Sequence, residues 1–425
     1  MSVRLTRRKA LRTMAAVAAG VAAPAVITRY GWAQTGTIKL GMVEPLSGPN
    51  KYYGEARIDA VRLVVERINA GGGILGRQVE FLPVDSEMKP DVSAKRSREL
   101  LRDAKVDFIT GFSAPVNMAV AREANAARKI FVSSTTLPTD MTAGGFYPTT
   151  FACSPNAEMY GNGQLHVVKN MPFRKIYVLG QDVGSGRVMG EYFARRFPAI
   201  KRADQELVGV EYHPTFRVSD FGPYITKVIA SGADCLVTPN YGPDQQLLIK
   251  QGFELGWKLK VVGPYLNDPV ILKELGAAGV GNIVAAINIV TLATPQNQEW
   301  VKLFRARYPD TKNLYSVVPD AATGMAINAY SWMFDIAKRT GSLDTEAMIK
   351  TWEGAKFQAL WGEVEMRACD HQIQTGIAMA EIKPVDQIPQ AIRFFDFPYI
   401  GAGTAIPRDA ITVPAKESAN KRCLA

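Results

Sequence analysis

Residues 38–85 constrain the fold of this chain more than any other segment. The apolar residues 38–43 predict a short strand, and a second apolar strand is predicted at 79–84. The helix predicted between them is amphipathic, because its apolar residues recur at helical spacing: Ile58, Val61, Val65 and Ile68. A strand, a helix and a strand in this order form a βαβ unit, in which the two strands are parallel. The sequence therefore predicts an α/β fold with a parallel sheet.

The first 33 residues have the three-part pattern of an export signal. The paired Arg7 and Arg8 precede an apolar, alanine-rich run at 14–27, and small residues flank a cleavage position after Ala33. The pair resembles a twin-arginine signal, but Ala10 stands where that motif usually has phenylalanine, so the general secretory route stays open. We therefore expect a periplasmic protein whose leader is removed.

Most of the net charge of the chain resides in this leader. The formal net charge is +10, and the leader contains six lysines and arginines and no acid, so the mature chain carries +4. No run of basic residues interleaved with aromatic residues remains, so we do not expect a nucleic-acid partner. No later segment supplies the roughly 18 consecutive apolar residues that a membrane-spanning helix needs.

Strands and helices continue to alternate along the mature chain in two successive sets. The first set includes apolar strands at 108–111 and 130–132, and the second set begins after residue 150 and runs to residue 262. The mature chain has about 390 residues, which exceeds the size at which a single hydrophobic core stops growing. We therefore expect two domains, and the pattern alone is consistent with two independent ones.

Sequence motifs give little support for an enzyme. Gly71, Gly73 and Gly76 match the dinucleotide pattern G-x-G-x-x-G, but they end a helix and lead into a strand, whereas pyrophosphate binding needs the reverse order. We interpret them as a helix C-cap and turn. The chain has three histidines and no G-x-S-x-G, H-E-x-x-H or P-loop motif, and its four cysteines are too dispersed for a zinc site. We expect neither catalysis nor a metal or cofactor.

One long, ordered pattern resembles a known family. A strand is followed by Pro-Leu-Ser-Gly-Pro at 45–49, an aromatic loop, a helix, Ile-Asn-Ala-Gly-Gly-Gly-Ile-Leu-Gly-Arg at 68–77 and a strand that ends in Asp85. This order is similar to the amino-terminal signature of the leucine/isoleucine/valine-binding protein family, the type I periplasmic solute-binding proteins of ABC importers.

The resemblance implies two Rossmann-like lobes joined by a three-strand hinge. The chain would cross between the lobes near residues 149–151, 263–265 and 363–367. The first lobe would then contain residues 34–150 and 264–365, the second lobe residues 151–263 and 366–400, and a surface tail residues 401–425.

The resemblance also implies ligand-binding residues in the first lobe. Tyr53 corresponds to a residue that lies against the substrate, with a plain surface aromatic as the alternative. Ser113 lies in the loop that grips a carboxylate, although Pro115 stands where the family usually has serine. Thr135 matches a position that contacts the charged end of the substrate, and Leu137 replaces the customary threonine nearby.

The second lobe contributes Ser185, which stands where the family often has an aromatic residue. Asp244 matches the acid that pairs with a substrate ammonium, and its alternative role is that of a first-turn acid for the following helix. The same topology suggests three further site residues: Tyr241, Tyr265 and Asp320.

A disulfide between Cys153 and Cys369 is expected from the resemblance, because both cysteines follow crossings that are neighbours in that fold. Export permits disulfides. Cys235 is expected to be a buried apolar residue, and Cys423 a thiol in the tail.

These expectations define a monomeric receptor that closes on a small-molecule ligand and delivers it to an ABC permease in the inner membrane. The default ligand is a branched-chain or related amino acid or a small carboxylate. The departures at Pro115, Leu137 and Ser185 make an aromatic acid or an amide a competing choice. A ligand-sensing receptor or regulatory subunit of the same fold is the alternative function.

Overall fold

The computed structural model describes residues 36–135, 139–182, 184–418 and 420–424. The predicted export signal and Leu137 lie outside the described residues. Among the described residues, no helix combines the length and the apolar character needed to cross a membrane.

The first lobe is built on a five-stranded parallel sheet in the order β2-β1-β3-β4-β5. Its strands are β1 (Ile38–Glu44), β2 (Val79–Asp85), β3 (Phe108–Gly111), β4 (Ile130–Ser133) and β5 (Thr150–Ala152). Three helices connect them: α1 (Lys51–Ala70), α2 (Pro90–Arg98) and α3 (Ala114–Ala126). The strands are apolar and mostly buried because helices cover both faces of a parallel sheet.

The predicted βαβ unit is present, and its glycine-rich segment ends α1 as expected. The Gly73 N–H bonds the carbonyl of Ile68, and Gly73 has a φ of +80°. A Cβ atom at Gly73 would lie 1.9 Å from the Arg77 carbonyl oxygen, so only glycine fits here. These glycines form a helix C-cap and turn.

The second lobe is built on a sheet in the order β15-β14-β10-β9-β8-β6-β7, with β16 also paired to β14. Its first strands are β6 (Lys175–Gln181), β7 (Glu206–His213), β8 (Cys235–Val237), β9 (Lys260–Gly263) and β10 (Ile283–Ala286). The helices of this part are α4 (Ala157–Asn170), α5 (Gly184–Ile200), α6 (Gly222–Ala230), α7 (Gly242–Glu254) and α8 (Pro269–Leu275).

The expected return to the first lobe at residue 264 is wrong. Strand β10 pairs in parallel with β9, so the chain stays in the second lobe through Ala286. The reason is a four-residue apolar strand, fully inside the sheet, which is too short to give a periodic signal in the sequence.

The chain then returns to the first lobe with three helices and a small three-stranded antiparallel sheet. The helices are α9 (Pro295–Arg307), α10 (Ala321–Thr340) and α11 (Thr345–Trp352), and the strands are β11 (Lys356–Ala359), β12 (Gly362–Met366) and β13 (Ile373–Gln374). Residues 363–367 therefore lie in and just after β12, and the third crossing comes later, between β13 and the next strand.

The chain ends in the second lobe, and the expected surface tail at 401–425 is wrong. The last elements are β14 (Ile377–Lys383), β15 (Tyr399–Ile400), β16 (Thr404–Ile406) and α12 (Arg408–Ile411). The reason is apolar burial: Ile406, Ile411 and Val413 are core residues.

The predicted disulfide between Cys153 and Cys369 is also wrong. Cys369 is bonded to Cys423, with their Cα atoms 5.0 Å apart. Cys153 is a free, fully buried thiol in the hydrophobic core, and this burial raises its pKa. Cys235 is likewise free and buried, as expected.

Candidate functional site

The predicted ligand-binding residues of the first lobe lie near the carboxyl ends of its strands, where open α/β sheets bind their ligands. Tyr53 lies in the first turn of α1, and its ring centroid is 5.1 Å from that of Phe112 and 4.9 Å from that of Tyr315. We call these three rings the aromatic wall. Tyr53 is therefore part of a packed cluster rather than an isolated surface aromatic.

Ser113 lies between β3 and α3, and its backbone has a φ of +71°. This conformation is uncommon for a residue with a Cβ atom, and such strain often marks a functional site. The hydroxyl oxygen is buried and has no hydrogen-bond partner among the described residues. Because the first turn of α3 carries the positive end of the helix dipole, the site suits a carboxylate.

Thr135 follows β4 and is buried beside α3. Its hydroxyl oxygen accepts a hydrogen bond of 3.1 Å from the side-chain amide of Asn117, which also donates to Ser133 over 3.0 Å. Asn117 thereby joins α3 to the end of β4. The Thr135 hydroxyl keeps its own hydrogen as a donor.

A buried ion pair, which the sequence reasoning missed, supports this wall from behind. Glu44 at the end of β1 and Arg57 on α1 are both fully buried, with Nε–Oε2 at 3.0 Å and Nη2–Oε1 at 3.1 Å. Burial raises the pKa of Glu44, although the charge of Arg57 opposes this shift. The signal in the sequence is two charged residues placed among apolar ones, in β1 and on the inward face of α1.

Arg57 connects this ion pair to both ligand loops. It donates a hydrogen bond of 2.8 Å to the Ser134 hydroxyl, next to Thr135. Its guanidinium also lies 5.0 Å from the centroid of Phe112, next to Ser113. Because one guanidinium group contacts both loops, Arg57 positions these loops relative to each other.

The second lobe carries a further cluster of aromatic rings. The Tyr241 ring lies 5.9 Å from that of Tyr265, which in turn lies 6.0 Å from that of Tyr160. Phe216 extends this cluster, 5.4 Å from Tyr241. The structure therefore brings two of the predicted residues, Tyr241 and Tyr265, into one cluster.

Asp244 is buried in the first turn of α7 and is bonded by its own lobe. Its Oδ2 accepts hydrogen bonds from the side chain of Gln181 at 2.8 Å and from the backbone N–H of Phe216 at 2.9 Å. This is the arrangement of a first-turn acid that organises neighbouring loops. Ser185 lies in the first turn of α5, which follows the strand that supplies Gln181.

Asp320 connects the two lobes. It precedes α10 in the first lobe and accepts hydrogen bonds from the Tyr399 hydroxyl and, over 3.1 Å, from the Asn267 side chain. A second link of this kind runs from the Tyr315 hydroxyl to Asp268, with distances of 3.1 and 3.2 Å to its two oxygens. Burial raises the pKa of Asp268. These bonds hold the lobes together at one end of the cleft.

The sequence profile of the periplasmic binding protein family matches residues 37–387. The chain belongs to this family. The family resemblance and the two-lobed α/β fold predicted from the sequence are thus confirmed.

Individual proteins are similar to this chain in sequence or in fold. The Leu/Ile/Val-binding protein homolog 4 of Brucella abortus is 24% identical over 377 residues, which cover 86% of this chain and 88% of the relative. The amino acid ABC transporter substrate-binding protein of Pseudomonas fluorescens Pf-5 superposes with a TM-score of 0.77 at 20% identity, covering 91% of this chain and 99% of that one. The solute-binding protein of Rhodopseudomonas palustris BisB5 in complex with 3,4-dihydroxybenzoic acid gives 0.75 at 20% identity, covering 89% and 99%.

Proposed function

We propose that this periplasmic binding protein is the solute receptor of an ABC importer and that it binds a small aromatic carboxylate in the cleft between its lobes. The observation that carries the proposal is the Ser113 hydroxyl, which is buried at the amino terminus of α3 beside the aromatic wall and has no hydrogen-bond partner among the described residues. Ser113 and Thr135 would donate to the carboxylate, and the rings of both lobes would enclose the apolar body of the ligand.

A branched-chain or related amino acid is the second candidate. It is supported by the name of the Brucella abortus relative and by Asp244, which matches an ammonium-binding position of the family. The two hydrogen bonds that Asp244 already accepts from Gln181 and Phe216 weaken this candidate. A charged ammonium without a carboxylate partner would be costly to bury.

Two matched ligands distinguish these candidates by calorimetry. L-Phenylalanine and 3-phenylpropanoate differ only in the ammonium group. We expect the plain acid, or a benzoate of similar size, to bind more tightly. Tighter binding of L-phenylalanine or L-leucine, together with a loss of about 2 to 5 kcal/mol in Asp244→Asn, would contradict the proposal and favour the amino acid.

Matched variants test the first-lobe wall with the same probes. Ser113→Ala should weaken acid binding by at least about tenfold, because a hydrogen bond to a charged group contributes about 1.5 to 3 kcal/mol. Tyr53→Ala should weaken binding through lost ring contacts. The neighbouring Tyr52, which is 63% exposed, supplies the control Tyr52→Ala, for which we expect wild-type affinity.

We further infer that the protein binds its ligand without transforming it, acts as a monomer and is exported with cleavage after Ala33. Mass spectrometry of the recovered probe tests the first point, since any altered product would indicate catalysis. Light scattering tests the second, and amino-terminal sequencing of the exported protein tests the third. Uptake of the ligand that is lost when the partner permease is deleted would indicate transport, whereas unchanged uptake would indicate a sensing role.

A further inference from the structure

The last part of the chain lies beyond the family match, which ends at residue 387. We call residues 404–418 and 420–424 the C-terminal strap. It begins on the second lobe, where β16 pairs antiparallel with β14. Helix α12 then packs on α4, and the side chain of Asn162 donates a hydrogen bond of 3.1 Å to the carbonyl of Ile411. Ile411 is fully buried, so this end of the strap is part of the second-lobe core.

The other end of the strap lies on the first lobe. The buried side chain of Asn420 donates to the Thr142 carbonyl over 3.1 Å. The Arg422 guanidinium contacts Glu353, which follows α11, at 2.6 Å and lies 5.3 Å from the ring of Phe146. Thr142 and Phe146 precede β5, so these contacts are all made to first-lobe residues.

The disulfide between Cys423 and Cys369 attaches this end to the segment that precedes the third crossing. Two residues further on, His371 accepts a backbone hydrogen bond of 2.9 Å from Ala152, at the first crossing. The His371 ring also contacts Glu353 at 3.0 Å, through the same carboxylate oxygen that Arg422 contacts. The strap therefore ends where two of the three crossings meet.

We propose that the C-terminal strap is a fourth connection between the lobes, secured by the disulfide, and that it stiffens the hinge and favours the lobe arrangement seen in this structure. Its contacts to Thr142, Phe146 and Glu353 must stretch or detach if the lobes rotate apart, while its other end stays in the second-lobe core. Contacts present only in one arrangement stabilise it relative to the others. The disulfide prevents the first-lobe end from detaching.

The ligand-free mature protein provides the test, using small-angle scattering and hydrogen exchange. The double variant Cys369→Ser/Cys423→Ser should have a larger radius of gyration than the wild type. At exchange times too short for global unfolding, amide exchange in the crossing segments 150–152 and 372–376 should be about tenfold faster, whereas β1 should remain protected in both proteins. Arg422→Gln, which keeps the disulfide, should shift both measurements in the same direction, and Lys421→Gln, at the exposed neighbouring position, should shift neither.

Two results would overturn the proposal. One is wild-type scattering and exchange in both the double variant and Arg422→Gln. The other is an equal acceleration of amide exchange in β1 and in the crossing segments. The disulfide would then stabilise the whole fold without acting on the hinge in particular. If the double variant does not fold, the folded native protein is reduced with a phosphine. The phosphine gives two electrons to the disulfide and takes an oxygen atom from water to become its oxide, the two protons of that water complete the two thiols, and the same outcomes apply.

Discussion

The buried pair of Glu44 and Arg57 gives a quantitative prediction, because the chain contains a matched exposed pair. Arg57→Met keeps most of the side-chain volume and removes the charge. Since both side chains are fully buried, the variant leaves a carboxylate without its partner, and we expect the free energy of unfolding to fall by about 3 to 5 kcal/mol at pH 7.

The control is the pair of Arg307 and Glu66. It has the same two-point geometry, with both N–O distances at 3.0 Å, but its side chains are 45% and 42% exposed. Water solvates both charges there, so Arg307→Met should cost at most about 1 kcal/mol. Urea denaturation of both variants measures the difference.

The pH dependence provides the sharper part of this test. Burial raises the pKa of Glu44 even in the wild type, and removing Arg57 removes the charge that opposes the shift. In Arg57→Met the folded state therefore binds a proton more readily than the unfolded state does. The protonated Glu44 carboxyl then contributes to the free energy of unfolding at low pH, and this contribution is lost as the pH rises through the folded-state pKa of Glu44. The deficit relative to the wild type should shrink between pH 7 and about pH 5.

A second variant checks the same reasoning at fixed pH. Glu44→Gln/Arg57→Met replaces the stranded carboxylate with a neutral amide, so it should recover part of the lost stability. Equal costs for Arg57→Met and Arg307→Met, or a deficit of Arg57→Met that does not change with pH, would show that no buried, unpaired charge on Glu44 causes the loss.

Two further predictions concern the strap and the hinge. Cys369→Ser/Cys423→Ser should lower the free energy of unfolding by about 4 kcal/mol, the loop-closure value for a sequence separation of 54 residues, as measured by urea denaturation. Burial lowers the pKa of His371 despite the opposing effect of Glu353, so the unfolded chain binds a proton that the folded chain excludes. Stability should therefore fall as the pH decreases below about 6.5, and less so in His371→Gln, as thermal melts on both proteins would show.

The amino-terminal part of the first lobe was predictable because its signals are local. The helical period of α1, the apolar strands on either side and the glycine turn all lie within 48 consecutive residues, and each indicates the same βαβ unit. Ser113 and Thr135 were predicted to be site residues from the family resemblance, and the structure places them just after β3 and β4, at the edge where the carboxyl ends of parallel strands meet.

The support behind the site was not predictable in the same way. Whether Arg57 points into the protein depends on a partner that can neutralise it, and Glu44 lies 13 residues earlier on a different element. Sequence spacing alone does not distinguish such a pair from two solvated charges. The short strand β10 was missed for a related reason, because four apolar residues do not specify a strand until neighbouring strands pair with them.

The disulfide error shows how a resemblance can override simpler evidence in the residues. Cys153 and Cys235 lie in or beside apolar segments that form strands, and both are buried in the core. Cys369 and Cys423 are surrounded by charged residues, in Arg-Ala-Cys-Asp and Lys-Arg-Cys. In an exported protein, two cysteines outside apolar segments are available to each other, whereas two inside them are small core residues. Local hydrophobicity thus favours the observed disulfide between Cys369 and Cys423. That disulfide attaches the end of the C-terminal strap, which lies beyond the family match, to the segment before the third crossing.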